Sequence, residues 1–493
     1  MKVLLIKPDN LADHIQPSLG YGYLATQIRK DHDVVIHDCI KDNTPINRIT
    51  EIVARHKPDL IGIQCYTFDT PKVYKLFKII KEAFPHIITV VGGAHISSIP
   101  MEAFNQFQPY VDYGFNSESE IGFPKFLTAL EKGDHDAFPY VEGLIWRNKS
   151  GKVVTNLPAF VQNLDDLGFP AWDLMPPETY PESQHGAFYE KFPIAPIITT
   201  RGCPYLCTFC SAPILSGRKL RHHSVAYVQE HIKMLYDRGV REIHIVDDNF
   251  TFDMDYCKEV LRGIIDLKLD ISLATPNGIR MDRLDDEILE LMREAGQYLL
   301  TVAVESGTDR ILKRMKKGTT VAKIRENVAL IRKHKFPVAG FFILGYPTET
   351  REEMLQTIKL SKELGLLRAN FFTFLPLPGT ASYNELVQNG EIERVDWNNF
   401  LFMTAPYVPK GMTRDELLSL KRRAFLSFHF HPRVLFENLK AIKSFRHFKF
   451  LLRRFYHWIL MKPKAAPQED NPLFASAKEK AAQQATRETV LQG

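Results

Sequence analysis

Apolar positions in the first 135 residues occur in short runs, separated by longer amphipathic stretches. The runs are rich in β-branched residues, which favour strands, and the stretches between them have helical spacing. Strands that alternate with helices predict a parallel sheet with helices on both faces. We therefore expect an α/β fold that begins with an open, Rossmann-like sheet of five parallel strands over residues 1–135. The predicted strands are 2–6, 33–38, 59–64, 87–92 and 111–115, and the predicted helices are 19–30, 46–56 and 71–84.

The same alternation returns in residues 191–400. Six strand–helix units in succession predict a partial (β/α)6 barrel of the TIM type, whose chemistry belongs at the carboxyl ends of its strands. Residues 136–190 form a predicted connector, with a hairpin over 143–155 followed by several prolines. The predicted barrel strands are 196–200, 242–246, 271–275, 299–304, 339–344 and 369–375.

Beyond the barrel the strand pattern stops, and two helices are predicted over 414–428 and 432–460. The region 401–462 that contains them is basic, since residues 421–462 hold eleven Lys or Arg and a single acid. A basic amphipathic helix with aromatic residues is typical of contact with a membrane surface. Packing of these helices over the barrel mouth is the alternative. Nucleic-acid binding is disfavoured because the apolar content is high for a solvated arm.

Composition limits the class of protein. Of the 493 residues, 45% are hydrophobic and 25% charged, as in a soluble globular protein. No apolar run approaches the ~18 residues of a membrane span, and the first residues are too polar for a signal peptide. Six cysteines, three of them clustered, argue against a disulfide framework and favour a reducing cytoplasm. We expect a cytoplasmic protein, with the basic region at the inner face of the membrane and a disordered tail over 463–493.

Three cysteines follow the first predicted barrel strand with the spacing C-x3-C-x2-C. Thiolates suit iron–sulfur clusters and zinc, and a structural zinc site normally takes four protein ligands. Three ligands within eight residues fit a cubane cluster with one iron open to a small molecule. A zinc site completed by His222 or His223 stays open as an alternative. The cluster cysteines are Cys203, Cys207 and Cys210, whereas Cys39, Cys65 and Cys257 are too dispersed for a second cluster.

This loop closely resembles the C-x3-C-x2-C loop of radical S-adenosylmethionine enzymes. Together with the N-terminal sheet, it makes the chain similar to the cobalamin-dependent members of that family. The resemblance implies a 4Fe–4S cluster on the three cysteines, S-adenosylmethionine on the open iron, and cobalamin on the sheet. It further implies that Phe209, Ile343 and Gly345 flank the adenine, that Glu305 holds the ribose, and that Asp247 and Asp248 lie near the methionine amino group or the cobalamin.

For the cobalamin, the resemblance implies that Tyr66 and Thr67 face the corrin and that Gly92, Gly93 and His95 receive the nucleotide tail. A plain structural turn is the alternative for the two glycines. The D-x-H-x-x-G motif that places a histidine on cobalt is absent, so we expect no histidine ligand.

Two further residue patterns qualify the cobalamin prediction. Cys65 is an alternative cobalt ligand, against the simpler interpretation of a buried thiol. After the fifth strand the family often has G-E-G-E, where this chain has Ser117-Glu118-Ser119-Glu120. The loss of both glycines weakens a binding role for that turn.

The resemblance also implies a reaction. A 5′-deoxyadenosyl radical would take a hydrogen from an unactivated carbon, and methylcobalamin would supply the methyl group. Flavodoxin or ferredoxin would be the electron donor. The basic, aromatic C-terminus favours a small hydrophobic substrate, and no nucleic-acid partner is expected. Two alternatives stay open: an oxidative cyclase of the anaerobic magnesium-protoporphyrin monomethyl ester type, and a non-catalytic cobalamin sensor or carrier with a structural cluster.

Overall fold

The computed structural model describes residues 1–9, 15–181, 189–393 and 395–440, with single positions as far as 456. Two parallel sheets, one in each half of the chain, carry most of the helices on their faces. The predicted α/β fold is confirmed. The predicted tail over 463–493 and most of 441–462 lie outside the described residues.

A seven-stranded sheet forms the N-terminal half. Its strands are β1 (Lys2–Lys7), β2 (Asp33–Asp38), β3 (Leu60–Gln64), β4 (Ile88–Gly92), β5 (Tyr113–Phe115), β6 (Leu144–Arg147) and β7 (Val153–Thr155). Its helices are α1 (Leu19–Ile28), α2 (Ile49–His56), α3 (Thr70–Ala83), α4 (Ala94–Ser98), α5 (Pro100–Gln106) and α6 (Gly122–Lys132). The strand order is β2-β1-β3-β4-β5-β6-β7, so the order reverses between β1 and β3. Ligands of open α/β sheets bind at such a switch point.

The first five strands of this sheet are parallel, as predicted. The predicted hairpin does more than connect, because β6 pairs antiparallel with β5 and β7 with β6. It therefore extends the sheet. Apolar clusters cover the two faces of the sheet, which explains why its central strands are almost continuously hydrophobic.

Six parallel strands form the second sheet, in chain order from one edge to the other. They are β8 (Ile194–Ile197), β11 (Glu242–Ile245), β12 (Ser272–Ala274), β13 (Gln297–Glu305), β14 (Val338–Leu344) and β15 (Arg368–Thr373), while β9 (Thr200–Arg201) and β10 (Arg221–His222) pair separately. The helices are α7 (Ala212–Leu215), α8 (Val225–Asp237), α9 (Met254–Asp266), α10 (Asp286–Glu294), α11 (Asp309–Arg314), α12 (Val321–Lys333), α13 (Arg351–Glu363) and α14 (Ala381–Gln388). Since β8 and β15 do not pair, the barrel is partial, as predicted.

Two helices follow the barrel, α15 (Arg414–His429) and α16 (Pro432–Lys440). A capping box at Thr413 and Glu416 begins α15, and the buried side of α15 packs on β15 and α13. This helix thus packs on the barrel, at its open edge. In α16 only Val434 is buried. Every helix in the described part of the chain is too short or too polar to span a bilayer.

Candidate active site

The three cysteines lie in one loop, residues 202–220, which we call the cluster loop. Strands β9 and β10 close its two ends, with Arg201 opposite Arg221, and we call this strand pair the neck. Gly202 begins the loop at a φ of 97°, where an added Cβ would lie 2.3 Å from the carbonyl oxygen of Lys219. Only glycine fits this close approach.

The cluster thiols share one partly buried environment. Burial raises the pKa of Cys210 to about 12, and the neighbouring thiols of Cys207 and Cys203 contribute. Among the described residues, no three His, Cys, Asp or Glu side chains surround a single metal position. The C-x3-C-x2-C spacing of the sequence suits a cluster, whose thiolates bind different iron atoms, better than one tetrahedral zinc ion.

Both histidines of the zinc alternative have other neighbours. His223 is fully buried, with Nδ1 2.9 Å from Asp165 Oδ1 and its ring stacked on Tyr227. Burial lowers the pKa of His223 to about 4. His222 stacks on Tyr256, with 4.5 Å between ring centroids. Each of the two histidines of the zinc alternative thus contacts another side chain.

Thr208, at the centre of the cluster loop, is held by residues from late in the barrel. Its N–H donates to the carbonyl oxygen of Met315 at 3.0 Å, and its carbonyl accepts from the N–H of Ser382 at 2.9 Å. Its hydroxyl lies 2.6 Å from Tyr346 Oη, which in turn lies 2.7 Å from Ser382 Oγ. These contacts fix the loop against the carboxyl ends of β13, β14 and β15.

The two predicted aspartates after β11 differ in their surroundings. Asp247 is buried and accepts hydrogen bonds from the N–H of Thr199 at 2.7 Å and from the hydroxyls of Thr199 and Thr200 at 2.5 and 2.8 Å. Burial raises the pKa of Asp247 to about 6. Its oxygens therefore support the strand that leads into the cluster loop. Asp248 remains accessible to solvent, although it is deep enough in protein that desolvation raises its pKa.

Glu305 ends β13 in an unusual conformation. Its φ is 67°, and the pairing of β13 with β14 shifts register between Ala303 and Glu305. Glu305 Oε1 accepts from Lys317 Nζ at 2.8 Å, and both side chains are buried. Lys317 Nζ also lies 5.9 Å from the centroid of the Phe209 ring. Backbone strain of this kind concentrates at functional sites, where the surrounding structure maintains it.

The predicted adenine residues come together. Phe209 and Ile343 pack against the same apolar cluster beside the cluster loop. The N–H of Gly345 donates to Glu349 Oε2 at 2.7 Å, and burial raises the pKa of Glu349 to about 8. Gly345 has a φ of 79°, and a Cβ there would lie 2.8 Å from Leu417 Cδ2. The need for glycine thus comes from the approach of α15.

At the carboxyl edge of the first sheet, the loop after β3 presents two stacked aromatic rings. Tyr66 and Phe68 are partly buried, with 5.5 Å between centroids. Thr67 is buried, and its carbonyl accepts from the hydroxyl of Thr70. Cys65 is fully buried, and burial raises its thiol pKa well above the usual value. This environment matches the buried-thiol interpretation of Cys65.

The two glycines after β4 are not equivalent. Gly93 has a φ of 97°, and a Cβ there would lie 2.9 Å from both the nitrogen and the oxygen of Cys65. The backbone of Cys65 therefore occupies the direction in which a side chain of residue 93 would point, and the predicted contact of Gly93 with the nucleotide tail stays a prediction. At Gly92 a Cβ would meet only the carbonyl oxygen of Phe115, 4.0 Å away, which leaves room beside it.

His95 is fully buried between the two halves of the molecule. Its Nε2 lies 2.8 Å from Gln106 Oε1 and its Nδ1 3.4 Å from Thr67 Oγ1. Its ring meets Trp397 edge-on, with 5.0 Å between centroids. Trp397 belongs to a segment that crosses from the barrel to the first sheet. His95 thus contacts residues from both halves of the molecule. Its predicted contact with a nucleotide tail stays a prediction.

Comparisons with known proteins follow this division of the chain. Residues 11–127 match the B12 binding domain and residues 197–361 match the Radical SAM superfamily. An uncharacterized methyltransferase of Pyrococcus horikoshii is 30% identical over 462 residues, which cover 92% of this chain and 97% of the relative. The chain belongs to the cobalamin-binding radical S-adenosylmethionine family. Its relatives make it a methyltransferase of that family, and its cofactors are the predicted 4Fe–4S cluster, S-adenosylmethionine and cobalamin.

Two further relatives carry more specific names. The cytidylyl-2-hydroxyethylphosphonate methyltransferase of Streptomyces wedmorensis is 30% identical, over 80% of this chain and 83% of that protein. The anaerobic magnesium-protoporphyrin IX monomethyl ester cyclase of Rubrivivax gelatinosus is 25% identical, over 87% and 78%. The family therefore contains both reaction types that the sequence suggests.

Solved structures of the family share the fold. The cobalamin-dependent radical enzyme OxsB superposes with a TM-score of 0.70 and 17% identity, covering 93% of this chain and 71% of its own. The methyltransferase TsrM from Kitasatospora setae superposes with a TM-score of 0.64 and 21% identity, covering 79% and 75%. At these identities the comparison establishes the fold alone.

Two buried polar atoms beside the cluster loop fit the S-adenosylmethionine of this family. Arg280 lies over the Tyr205 ring at 3.6 Å and donates to the carbonyl of Lys317 at 2.7 Å, yet its Nη1 has no partner among the described residues. Asn249 Oδ1 is likewise buried and unpartnered, and its Nδ2 lies 4.0 Å from Cys203 Sγ. Such atoms cost free energy unless a ligand satisfies them. Asn249 and Arg280 follow β11 and β12, where the barrel pattern predicts chemistry, but no sequence pattern indicated a role for Arg280.

A second pair of buried, unpartnered polar atoms among the described residues lies beside His95, near the proposed cobalamin site. Trp397 Nε1 and Gln106 Nε2 are buried donors without partners in the described part of the chain, and both residues contact His95. A cofactor with peripheral amide groups, such as cobalamin, would satisfy donors of this kind. No pattern in the sequence indicated Trp397, because this residue approaches the first sheet only through the folding of the whole chain.

Proposed function

We propose that this enzyme methylates an unactivated carbon of a small hydrophobic molecule. When bound, the cluster with S-adenosylmethionine supplies a deoxyadenosyl radical and the cobalamin supplies a methyl group. The chain itself holds these groups, orients the substrate and excludes water. One observation carries the proposed substrate class, namely the apolar inner face of the barrel.

That inner face lies directly beside the proposed adenine site. Phe341 lies two residues before Ile343 on β14, so both side chains point to the same side of the sheet. Phe372 is the cross-strand partner of Ile343, and its ring centroid lies 5.8 Å from that of Phe341. Phe402 extends the group, 5.1 Å from Phe372, and is 37% exposed. Partly exposed rings inside a barrel favour an apolar substrate surface.

We propose the following roles for the site residues. Glu305, held by Lys317, binds the ribose, and the free guanidinium nitrogen of Arg280 binds the carboxylate of S-adenosylmethionine. Phe209 and Ile343 flank the adenine. The cluster ligands are Cys203, Cys207 and Cys210, and the proposed cobalamin contacts are Tyr66, Thr67 and Gly92. Reduction of the cluster needs an electron donor, for which we propose flavodoxin or ferredoxin.

The decisive experiment supplies methyl-deuterated S-adenosylmethionine, reductant and a lipid extract of the host to the reconstituted enzyme under anaerobic conditions. We expect a product three mass units heavier than the one formed from unlabelled S-adenosylmethionine, because the intact methyl group is transferred. Mass spectrometry of the extract then identifies the acceptor. Cys207→Ala is the matched control, since it removes one of only three cluster ligands and should abolish both product and 5′-deoxyadenosine.

A different labelling pattern would favour the cyclase alternative, for which the relative of Rubrivivax gelatinosus is the specific support. The methyl label would then stay in methionine, and the product would contain none of it. If no 5′-deoxyadenosine forms while cluster and cobalamin are both present, the enzymatic proposal fails. The remaining hypothesis would then be a cobalamin sensor or carrier.

We also propose that the C-terminal helices contact an anionic membrane surface. Large apolar side chains there are well exposed, among them Leu435 at 41%, Phe436 at 58% and Leu439 at 52%. Arg433 and Lys440 lie among them and are also exposed. Exposed apolar and cationic residues on one short helix suit the interface of an anionic bilayer. The apolar side chains contribute burial in the bilayer, and the cationic side chains contribute attraction to the anionic headgroups.

A further inference from the structure

The turn that follows β5 reaches from the cobalamin domain to the neck of the cluster loop. Glu118 forms a two-pronged ion pair with Arg221, with 2.6 Å from Oε1 to Nη2 and 2.8 Å from Oε2 to Nη1. Glu120 Oε1 lies 2.9 Å from Arg201 Nη1. The four side chains are 3% to 10% exposed. Solvent therefore screens these ion pairs far less than it would at the surface.

The neck needs these carboxylates for an electrostatic reason. Arg201 and Arg221 are cross-strand partners, and like charges directly opposite each other destabilise a strand pair. Glu118 Oε1 lies 2.6 Å from Arg221 Nη2 and 3.5 Å from Arg201 Nη1, so one carboxylate lies between both guanidinium groups. All three cluster cysteines lie within the loop that this neck closes. The closed neck thus depends on a turn from the other domain.

The same turn also contacts both cofactor regions through Ser117. Its hydroxyl donates to the carbonyl oxygen of Leu215, inside the cluster loop, at 2.7 Å. Its N–H donates at 2.8 Å to Ser97 Oγ on α4, and Ser97 Oγ in turn donates at 2.9 Å to the carbonyl oxygen of Gly93. One short segment therefore connects the loop that holds the cysteines with the edge of the sheet where cobalamin is expected.

We propose that Glu118 and Glu120 are positioning residues that hold the cluster loop at its working distance from the cobalamin. Neither needs to touch a cofactor, because each acts through an arginine of the neck. The sequence suggested a weakened binding turn here, since two glycines are missing. The structure gives the two retained glutamates partners in the other domain. This inference depends on the two cofactors of the family and not on the identity of the substrate.

The test compares Glu118→Gln with the wild type as reconstituted holoenzyme. Glutamine keeps the size of the side chain but removes its charge, so both guanidinium groups lose their shared partner. The first readout is the magnetic coupling between the reduced cluster and cob(II)alamin in electron paramagnetic resonance spectra, which reports their separation. The second is hydrogen exchange of the amides in 202–220, and the third is transfer of the methyl group from S-adenosylmethionine to cobalamin.

We expect Glu118→Gln to retain cluster and cobalamin but to show weaker coupling. Amides of the cluster loop should exchange about tenfold faster, while those of α12 remain unchanged. Methyl transfer to cobalamin should fall at least about tenfold, since displacement of reacting groups by ~1 Å can cost that much. Unchanged coupling, exchange and transfer would overturn the proposal. None of these readouts requires the substrate, so a wrong substrate proposal would leave them unaffected.

Two further variants complete the design. Asp136→Asn removes an ion pair with Lys149 in which both side chains are more than four-fifths exposed, and it should leave all three readouts unchanged. If Glu118→Gln does not accumulate as folded protein, the variant Arg221→Lys tests the proposal instead. Lysine keeps the charge but cannot form both parallel hydrogen bonds. It should weaken the magnetic coupling to a smaller extent, and wild-type coupling in this variant would contradict the proposal.

Discussion

Single residues of the site differ in how far the sequence could predict them. The cysteine spacing was sufficient to predict the cluster, because the three proposed ligands lie in one short loop. The partner of Glu305 was not predictable, since Lys317 meets it through the fold of the barrel. Gly93 shows where the sequence is ambiguous. A glycine that leaves room for a ligand and a glycine that leaves room for a neighbouring backbone look the same in a sequence. Only the contact with Cys65 distinguishes the two.

His223 makes the stability of the protein depend on pH. Burial lowers its folded-state pKa from 6.5 to about 4. Between these values the unfolded chain binds a proton that the folded protein does not, so stability falls as pH falls through this window. We expect this group to reduce the free energy of unfolding by about 2 kcal/mol between pH 7.5 and pH 5. Urea unfolding of wild type and His223→Asn at both pH values measures the difference. An equal pH dependence in the two proteins would contradict the assignment.

At the scale of elements, the alternation of apolar runs was a reliable guide. Both sheets and their helices follow it, because parallel strands buried on both faces must be continuously apolar. The hairpin strands β6 and β7 were recognised as strands, but their addition to the first sheet was not. A sequence pattern indicates that a segment tends to form a strand, but it does not indicate which other strand that segment pairs with. The same holds for α15, whose apolar side was visible in the sequence but whose position against β15 and α13 was not.

The contact of α15 with Gly345, in the turn after β14, predicts a coupled pair of substitutions. Gly345→Ala would place a Cβ 2.8 Å from Leu417 Cδ2 at a φ of 79°, and it should destabilise the protein by about 1–3 kcal/mol. Leu417→Ala alone should cost about 2–5 kcal/mol because the side chain is fully buried. In the double variant the smaller side chain removes the clash, so the cost should be less than the sum. Denaturant unfolding of the four proteins measures this, and strict additivity would show that the two residues do not interact.

At the scale of the whole molecule, charge is unevenly distributed. The chain carries a formal charge of +5, yet residues 421–462 alone hold eleven basic residues and one acid. The rest of the chain is therefore net acidic, and an anionic surface would attract one end of the molecule and repel the remainder. Such a distribution orients a protein on a membrane in addition to binding it.

Vesicle binding tests this orientation. We expect the protein to sediment with phosphatidylglycerol vesicles and not with phosphatidylcholine vesicles, and to be released as salt rises, because the cationic contribution is screened. Phe436→Ser should weaken binding by removing an apolar side chain that is 58% exposed. Leu157→Ser removes one that is 87% exposed and lies outside the C-terminal helices, and it is the matched control. Equal binding to both lipids would contradict the proposed contact.

The supports of Thr208 also determine when in the life of the protein its cluster can be installed. The loop carries its cysteines before residue 211, but its backbone is held by Met315 and Ser382. A nascent chain that ends before Ser382 already displays all three thiols and lacks a hydrogen bond that shapes their loop. Cluster delivery before synthesis is nearly complete would therefore meet an unformed site. We therefore expect iron–sulfur assembly on this enzyme to follow synthesis of the whole barrel.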